Sequence, residues 1–185
     1  MKLIILSVAL LGVFLAPVLA IDNINVNNED NRGGNSHQSV SIDNQKKVVN
    51  VDNNNGWHSW NTVWDYATGY TATRIFAKKA CVVAPLNKNI MPDVTVLPQA
   101  IKEKQKTGAQ GPPSKQLTYT VSHNKIADLS TYGKNIENLC RGIPTYLAHE
   151  VKAPSFLYYS GSCFRTNILC ILGISFCGET YDNNY

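Results

Sequence analysis

One acidic residue is a candidate for chemistry because it lies between aromatic residues. Asp65 lies between Trp64 and Tyr66 in the run WDYATGYTATRIFAKKAC, which ends at Cys81. A carboxylate buried beside aromatic rings must either accept hydrogen bonds from backbone N–H groups or be protonated. Stability is lost on acidification in the first case and as the pH rises in the second. The residues leave both open, and the ring neighbours motivate the hypothesis that Asp65 is a pH switch.

The cysteines favour disulfide bonds over a metal site. There are five, at Cys81, Cys140, Cys163, Cys170 and Cys177. CxxC and HExxH motifs are absent and the four histidines are scattered, so neither a zinc site nor another cofactor is expected. Because five is odd, at least one thiol stays free or pairs with another chain. A hairpin turning at 165–167 would also permit a Cys163–Cys170 bond.

Three tryptophans follow each other at helical spacing. Trp57, Trp60 and Trp64 are at positions i, i+3 and i+7, which would put the three rings on one helical face. As structure, they would form an aromatic lid on the core. As function, they would stack sugar rings and make the protein a mucosal lectin that binds mucin glycans.

Residues 1–20 are typical of a secretory signal peptide. One lysine precedes an apolar run from Leu3 to Leu15, and Val18 and Ala20 occupy the −3 and −1 positions. Cleavage would give a secreted chain beginning at Ile21, with no stable membrane insertion; a signal anchor is the alternative. A secreted chain meets oxidising conditions, which again favours disulfides.

Composition narrows the function classes. The 185 residues suit one domain with appendages, and 44% hydrophobic content permits a packed core. The net charge of +4 is modest and the lysines are scattered, so nucleic-acid binding is not expected. No GxSxG or similar nucleophile motif is present, which argues against an enzyme.

Periodicity predicts a mixed α and β chain. The Asn-rich segment 21–56 alternates apolar and polar residues, which indicates either an edge hairpin or a partly disordered region. Helices are predicted over 91–106, with the body after Pro98, and over 128–140, where Gly133 weakens the pattern. A linker is expected at 107–115, and strands at 70–86, 117–122, 155–164 and 168–177.

Several motifs together resemble a known family. WDY before a strand and Cys81, then NIMPDVTVLPQAIKEK, then IENLCRGIPTY around Cys140, are similar to the BRICHOS domain over residues 57–147. NNNGW before this region and SGSC…ISFCG after it resemble the gastrokines, which are secreted members of that family. The resemblance covers essentially the whole chain.

The resemblance implies an α+β fold: a five-stranded β-sheet with a helix on each face, preceded by the Asn-rich, β-prone segment. The chain would then divide into a signal peptide (1–20), the Asn-rich segment (21–56), a BRICHOS domain (57–147) and C-terminal disulfide-linked strands (148–185). It also implies a Cys81–Cys140 disulfide and Asp65 as the family's characteristic acid. Cys163 and Cys177 match gastrokine cysteines and would pair, leaving Cys170 as a free or intermolecular thiol.

The resemblance also implies a function. It describes a non-enzymatic protein of the gastric mucosa, secreted through the Golgi and secretory granules. Such a protein would restrain epithelial proliferation, maintain mucosal integrity and act as a chaperone that keeps β-prone polypeptides from forming amyloid. Its partners would be β-prone clients, with a trefoil peptide or mucin as a further candidate.

Overall fold

The structure is a computed structural model that describes residues 21–30, 34–107, 112–151 and 163–178. The predicted signal peptide, residues 1–20, lies outside the described residues, as does 108–111 of the predicted linker. The strands are β1 (Ile21–Asp30), β2 (Gly34–Asp43), β3 (Val48–Asn54), β4 (Trp60–Asp65), β5 (Tyr70–Ile75), β6 (Ala80–Pro85), β7 (Lys115–Lys125), β8 (Thr145–Glu150), β9 (Cys163–Ile168) and β10 (Leu172–Gly178). The α-helices are α1 (Leu97–Lys106) and α2 (Lys134–Cys140).

All ten strands belong to one sheet, in the order β1-β2-β3-β4-β5-β6-β8-β7-β10-β9. The β6–β8 and β7–β10 pairs are parallel and the others are antiparallel. The mixed fold with two helices agrees with the expectation, but the five-strand count does not. The sheet is larger because the Asn-rich segment adds β1–β3 next to β4, and the C-terminal hairpin adds β10 and β9 next to β7. The first addition is a series of local hairpins, whereas the parallel β7–β10 pairing joins 115–121 to 172–178 and leaves no local sequence signal.

The Asn-rich segment forms strands because apolar residues at alternate positions of β2 and β3 point to one face. Val40 and Ile42 of β2 are opposite Val51 and Val49 of β3, and all four side chains are buried. Each strand alone buries little, whereas side by side they extend the apolar layer of the sheet. The segment is therefore part of the sheet rather than an appendage.

Strand alternation gives the sheet two different faces. Trp60 and Trp64 of β4 lie on the face covered by α1, which we call the α1 face; its buried side chains form the large core. Val63 and Asp65 of the same strand lie on the opposite face, covered by α2, which we call the α2 face. The α2 face carries a smaller core of Ala72, Cys81, Val83, Ile136 and Cys140.

The sheet is curled. Gln38 of β2 hydrogen-bonds to Asn167 and Leu169 at the end of β9, although eight positions in strand order separate β2 from β9. The large core accordingly contains side chains from strands near both ends of the strand order, including Val40 of β2 and Ile168 of β9.

Two local predictions need correction. The helix expected over 128–140 is interrupted at Gly133, where φ is +98°: a 3₁₀ turn (Ser130–Tyr132) precedes it and α2 follows. The hairpin turn expected at 165–167 lies instead at 169–171, between β9 and β10. The shift follows from register, because Cys163 faces Cys177 across the ladder rather than Cys170.

Candidate functional site

The junction between the sheet and α2 is held by a disulfide. Cys81 of β6 is bonded to Cys140 at the end of α2, with their Cα atoms 5.5 Å apart and both residues fully buried. Cys81 points to the α2 face because it shares strand parity with Val83. Arg74 of β5 adds a second tie, since its guanidinium donates to the Leu139 carbonyl at 3.3 Å.

Asp65 lies at the same junction and is only 2% exposed. Its Oδ1 accepts the backbone N–H groups of Ala67 and Thr68 at 3.1 and 3.0 Å, in the turn that follows β4. Its Oδ2 accepts from the side-chain amide of Asn135 in the first turn of α2, at 2.9 Å. Both carboxylate oxygens therefore have donors, and the acid fixes the position of the helix relative to the β4–β5 turn.

The aromatic neighbours of Asp65 do not surround it. Trp64 points to the α1 face and is fully buried there, while Tyr66 packs into the same large core. The Tyr66 hydroxyl donates to the Pro92 carbonyl, and burial raises the pKa of this tyrosine above its ordinary value. The ring neighbours that motivated the pH-switch hypothesis are thus on the wrong side of the strand, and Asp65 has the hydrogen-bonded arrangement.

The tryptophans do not form a platform. Trp57 is 81% exposed on the 3₁₀ turn Gly56–His58, whereas Trp60 and Trp64 are buried side chains of β4. The expectation of three rings on one helical face is wrong, and with it the surface on which a mucin-binding lectin would depend.

The α1 face presents the largest apolar surface of the sheet. α1 covers it with two buried side chains, Leu97 and Ile101, and the loop before α1 adds Met91 and Val94. Among the described residues, α1 makes one polar side-chain contact with a strand: the Gln105 amide donates to the Asn25 carbonyl of β1 at 3.3 Å. Apolar packing is thus the main attachment of α1.

The C-terminal hairpin carries the remaining cysteines. Cys163 and Cys177 are directly opposite each other in the β9–β10 ladder and are joined by a disulfide, with a Cα separation of 4.2 Å. Cys170 is a free thiol, buried in the turn between the strands. Leu169 and Cys170 both have positive φ, of 54° and 56°, a conformation in which glycine or asparagine is usual.

Comparisons with known proteins decide the family. The BRICHOS domain model matches residues 56–147. Gastrokine-1 of Homo sapiens is 54% identical over 185 residues, which cover 99% of this chain and all of the relative. Gastrokine-1 of Sus scrofa is 49% identical with the same coverage, and that of Mus musculus is 46% identical over 98% of this chain. The chain belongs to the gastrokine family.

No solved structure matches this gastrokine. The names of the relatives above are not enzyme names. Within the described ranges, this gastrokine has no group of three or more histidine, cysteine or acidic residues able to hold a metal ion. None of the helices described for it has the length and apolar character needed to span a bilayer.

Two residues of this gastrokine site were missed by sequence reasoning. Asn135 could not be found, because one asparagine in the first turn of a short helix carries no signal for a partner 70 residues away. Gln38 had a signal: it shares strand parity with Val40 and Ile42 and therefore points into the core. A buried glutamine needs hydrogen-bond partners, so this parity alone indicated a polar contact across the core.

Proposed function

We propose that this gastrokine is a secreted, non-enzymatic protein of the gastric mucosa that restrains epithelial proliferation and maintains mucosal integrity. We further propose that it acts as a chaperone that binds β-prone polypeptides and slows their conversion to amyloid. The family membership supports the first statement. The α1 face supports the second, and that surface is the observation on which the chaperone proposal depends.

The α1 face suits reversible capture of an extended chain. It holds buried apolar side chains from strands on both sides of the curled sheet, among them Val49, Trp64 and Ile174. Its cover, α1, has ten residues of which two are buried, and no disulfide attaches it. Displacing α1 would cost the burial of few side chains and would expose apolar surface to a client.

Fibril growth of a β-prone peptide tests the chaperone proposal. The oxidised chain from Ile21 is added below the molar amount of amyloid-β peptide, and growth is followed by thioflavin fluorescence. We expect a several-fold slower elongation rate. Ile101→Ala, which loosens α1, should slow growth further, whereas the matched Ile136→Ala in α2 should not. Unchanged growth with the unmodified chain would contradict the proposal.

Two cell measurements test the remaining parts. Epithelial cells expressing residues 1–185 should release a chain whose N-terminal residue is Ile21, as Edman sequencing or mass spectrometry would show. The purified protein should reduce DNA synthesis in cultured gastric epithelial cells, and unchanged DNA synthesis would contradict the proliferation proposal.

Trefoil peptides and mucin are proposed as further partners, to be tested by pull-down under non-reducing conditions.

A further inference from the structure

The outer side of β9 carries backbone groups available for another strand. Within the described residues, β9 pairs with β10 and with no other strand, so it is an edge strand. The Ile168 carbonyl accepts the Ile171 N–H and therefore points toward β10. Since successive residues of a strand point their backbone groups to opposite sides, those of Arg165 and Asn167 point away from β10.

The side chain of Gln38 already occupies part of this edge. Its Nε2 donates to the Asn167 carbonyl at 2.7 Å, and its Oε1 accepts the Leu169 N–H at 3.0 Å. A carbonyl of residue i and an N–H of residue i+2 are the two groups that one residue of a parallel neighbouring strand would bond. The Gln38 carboxamide thus takes the place of a strand residue, and we call it the amide cap.

The amide cap is buried and held in place. Gln38 is 4% exposed, and its Nε2 also donates to Asn53 Oδ1 on the neighbouring strand at 3.1 Å. These bonds fix the orientation of the carboxamide, because both partners of Nε2 are oxygens. An open edge strand invites association with other chains, so a cap at its end protects the folded protein. The backbone of another extended chain could form the same hydrogen bonds with β9 and replace the Gln38 carboxamide.

The surroundings of the edge suit an extended peptide. A groove of about 670 Å³ adjoins β9 and β10, lined among others by Arg165, Asn167, Gly173, Ser175 and Glu150. Alternate side chains of a strand added to β9 would project toward this groove, and the other side chains would lie on the opposite side of the sheet. The backbone of Arg165 lies beyond the amide cap, so a peptide could bind there first and then displace Gln38.

We propose that the outer edge of β9 is a strand-addition site for an extended β-prone segment, and that the Gln38 side chain caps this site until the segment replaces it. The inference deepens the proposed chaperone function, on which it rests, by assigning the client backbone to one edge of the sheet. The amide cap then sets the affinity, since a client must break the two hydrogen bonds from the Gln38 carboxamide to Asn167 and Leu169 before its own are complete.

A defined peptide tests the edge directly. The probe is a fluorescein-labelled octapeptide of alternating valine and threonine, and its binding to the oxidised chain is measured by anisotropy. Methylation of the backbone nitrogens of its four central residues removes the N–H donors, and we expect at least tenfold weaker binding. This comparison uses the unmodified protein, so it does not depend on a variant that folds. Equal binding of the two peptides would overturn the proposal.

Two variants test the edge site, one by changing the Gln38 cap and the other by changing the backbone of β9. Gln38→Met keeps the length of the side chain but removes the amide cap, and we expect several-fold tighter probe binding. Gln45→Met, at an exposed position in the β2–β3 turn, is the matched control and should leave binding unchanged. Arg165→Pro removes an outward N–H at a position where an edge strand tolerates proline, and should weaken binding at least tenfold. Unchanged affinity in both Gln38→Met and Arg165→Pro would overturn the proposal.

The outcomes separate this inference from the chaperone function. If fibril growth is slowed and Arg165→Pro slows it equally, the chaperone function stands and the β9 assignment is overturned. If the probe binds as described and fibril growth is unaffected, the edge site stands and the chaperone proposal fails. A concentration-dependent dimer that Arg165→Pro dissociates, with no probe binding, would mean that a second copy of the chain occupies the edge, which also overturns the proposal.

Discussion

The two faces of the sheet are covered by helices that are attached in different ways. α2 is joined to the sheet by the Cys81–Cys140 disulfide, by the Asn135–Asp65 hydrogen bond and by the Arg74 bond to Leu139. α1 lies over the larger core and is attached mainly by Leu97 and Ile101. The helix over the smaller core thus has covalent and charged attachments, whereas the helix over the larger core is attached mainly by apolar packing.

The two faces therefore differ in how readily their helices can detach from the sheet. Apolar packing can be released and re-formed at the cost of the buried area alone, whereas a disulfide between β6 and α2 cannot open without reduction. Motion in the folded protein is therefore expected at α1 and at the capped edge of β9, with the α2 face as the rigid support. Each experiment below compares a change on the α2 face with a matched change elsewhere in the chain.

Removing the Cys81–Cys140 bond should have the largest effect. In the chain-entropy model, closing a loop of 59 residues stabilises a protein by about 4 kcal/mol, close to the whole margin of a small domain. We expect the Cys81→Ala/Cys140→Ala variant to be largely unfolded at 37 °C by circular dichroism. The Cys163–Cys177 bond closes a loop of only 14 residues, so the Cys163→Ala/Cys177→Ala variant should lose about 3 kcal/mol. A larger loss from the second pair would contradict the comparison.

A matched pair of isoleucines compares the helices themselves. Ile136 in α2 and Ile101 in α1 are both fully buried. Truncating a buried isoleucine to alanine removes contacts worth about 2–5 kcal/mol. We expect Ile136→Ala to lower the free energy of global unfolding by about 3 kcal/mol in urea titrations. For Ile101→Ala we expect a smaller loss, with increased binding of an apolar dye under native conditions, because α1 can detach before the sheet unfolds.

Hydrogen exchange provides the control for that pair. Amide protection in α1 should be lost in Ile101→Ala while protection in β4 and β5 persists. If protection falls equally in all elements, α1 and the sheet unfold together, and the difference between the faces is not one of mobility.

Local sequence patterns predicted the elements better than their arrangement. α1 was located from Pro98 and the apolar spacing after it, and these signals are local. Trp60 and Trp64 were assigned to a helix because a separation of four residues places side chains on the same face of a helix and also of a strand. Only tertiary pairing, here of β4 with β3 and β5, decides between the two.

The site was predictable only in part for the same reason. The resemblance paired Cys81 with Cys140 and singled out Asp65 as the family's acid, but the residues alone could not say which face of the sheet Asp65 occupies. Asn135, the partner of Asp65 on α2, and Asn167 and Leu169, the partners of Gln38 near β9, lie 70 or more residues away in sequence, and no local spacing identifies them. The parallel β6–β8 and β7–β10 pairs are of the same long-range kind, and local periodicity does not reveal them.

The buried acid allows a smaller test of the α2 face. Asp65→Asn keeps an oxygen for the N–H groups of Ala67 and Thr68 but places an amide nitrogen against that of Asn135. We expect a loss of about 2 kcal/mol, typical of a buried hydrogen bond to a charged group that becomes unsatisfied. Asp52→Asn is the control, because Asp52 also accepts from an asparagine, Asn61, but is exposed. Equal effects in the two variants would mean that the Asp65 contacts do not position α2.

The smallest effect expected is a pH dependence on the surface of α2. Hydrogen bonds from Arg141 and Lys134 lower the pKa of Glu137 below its ordinary value of 4.5. A carboxyl with a lowered folded-state pKa adds stability that is complete above its ordinary pKa and is lost as the pH falls through the lowered value. Glu137→Gln should therefore narrow the difference in melting temperature between pH 7 and pH 2. Glu103→Gln on α1, whose side-chain partner is the neutral Gln99, should narrow it less; an equal narrowing would contradict a contribution from the ion pairs that Glu137 makes with Lys134 and Arg141.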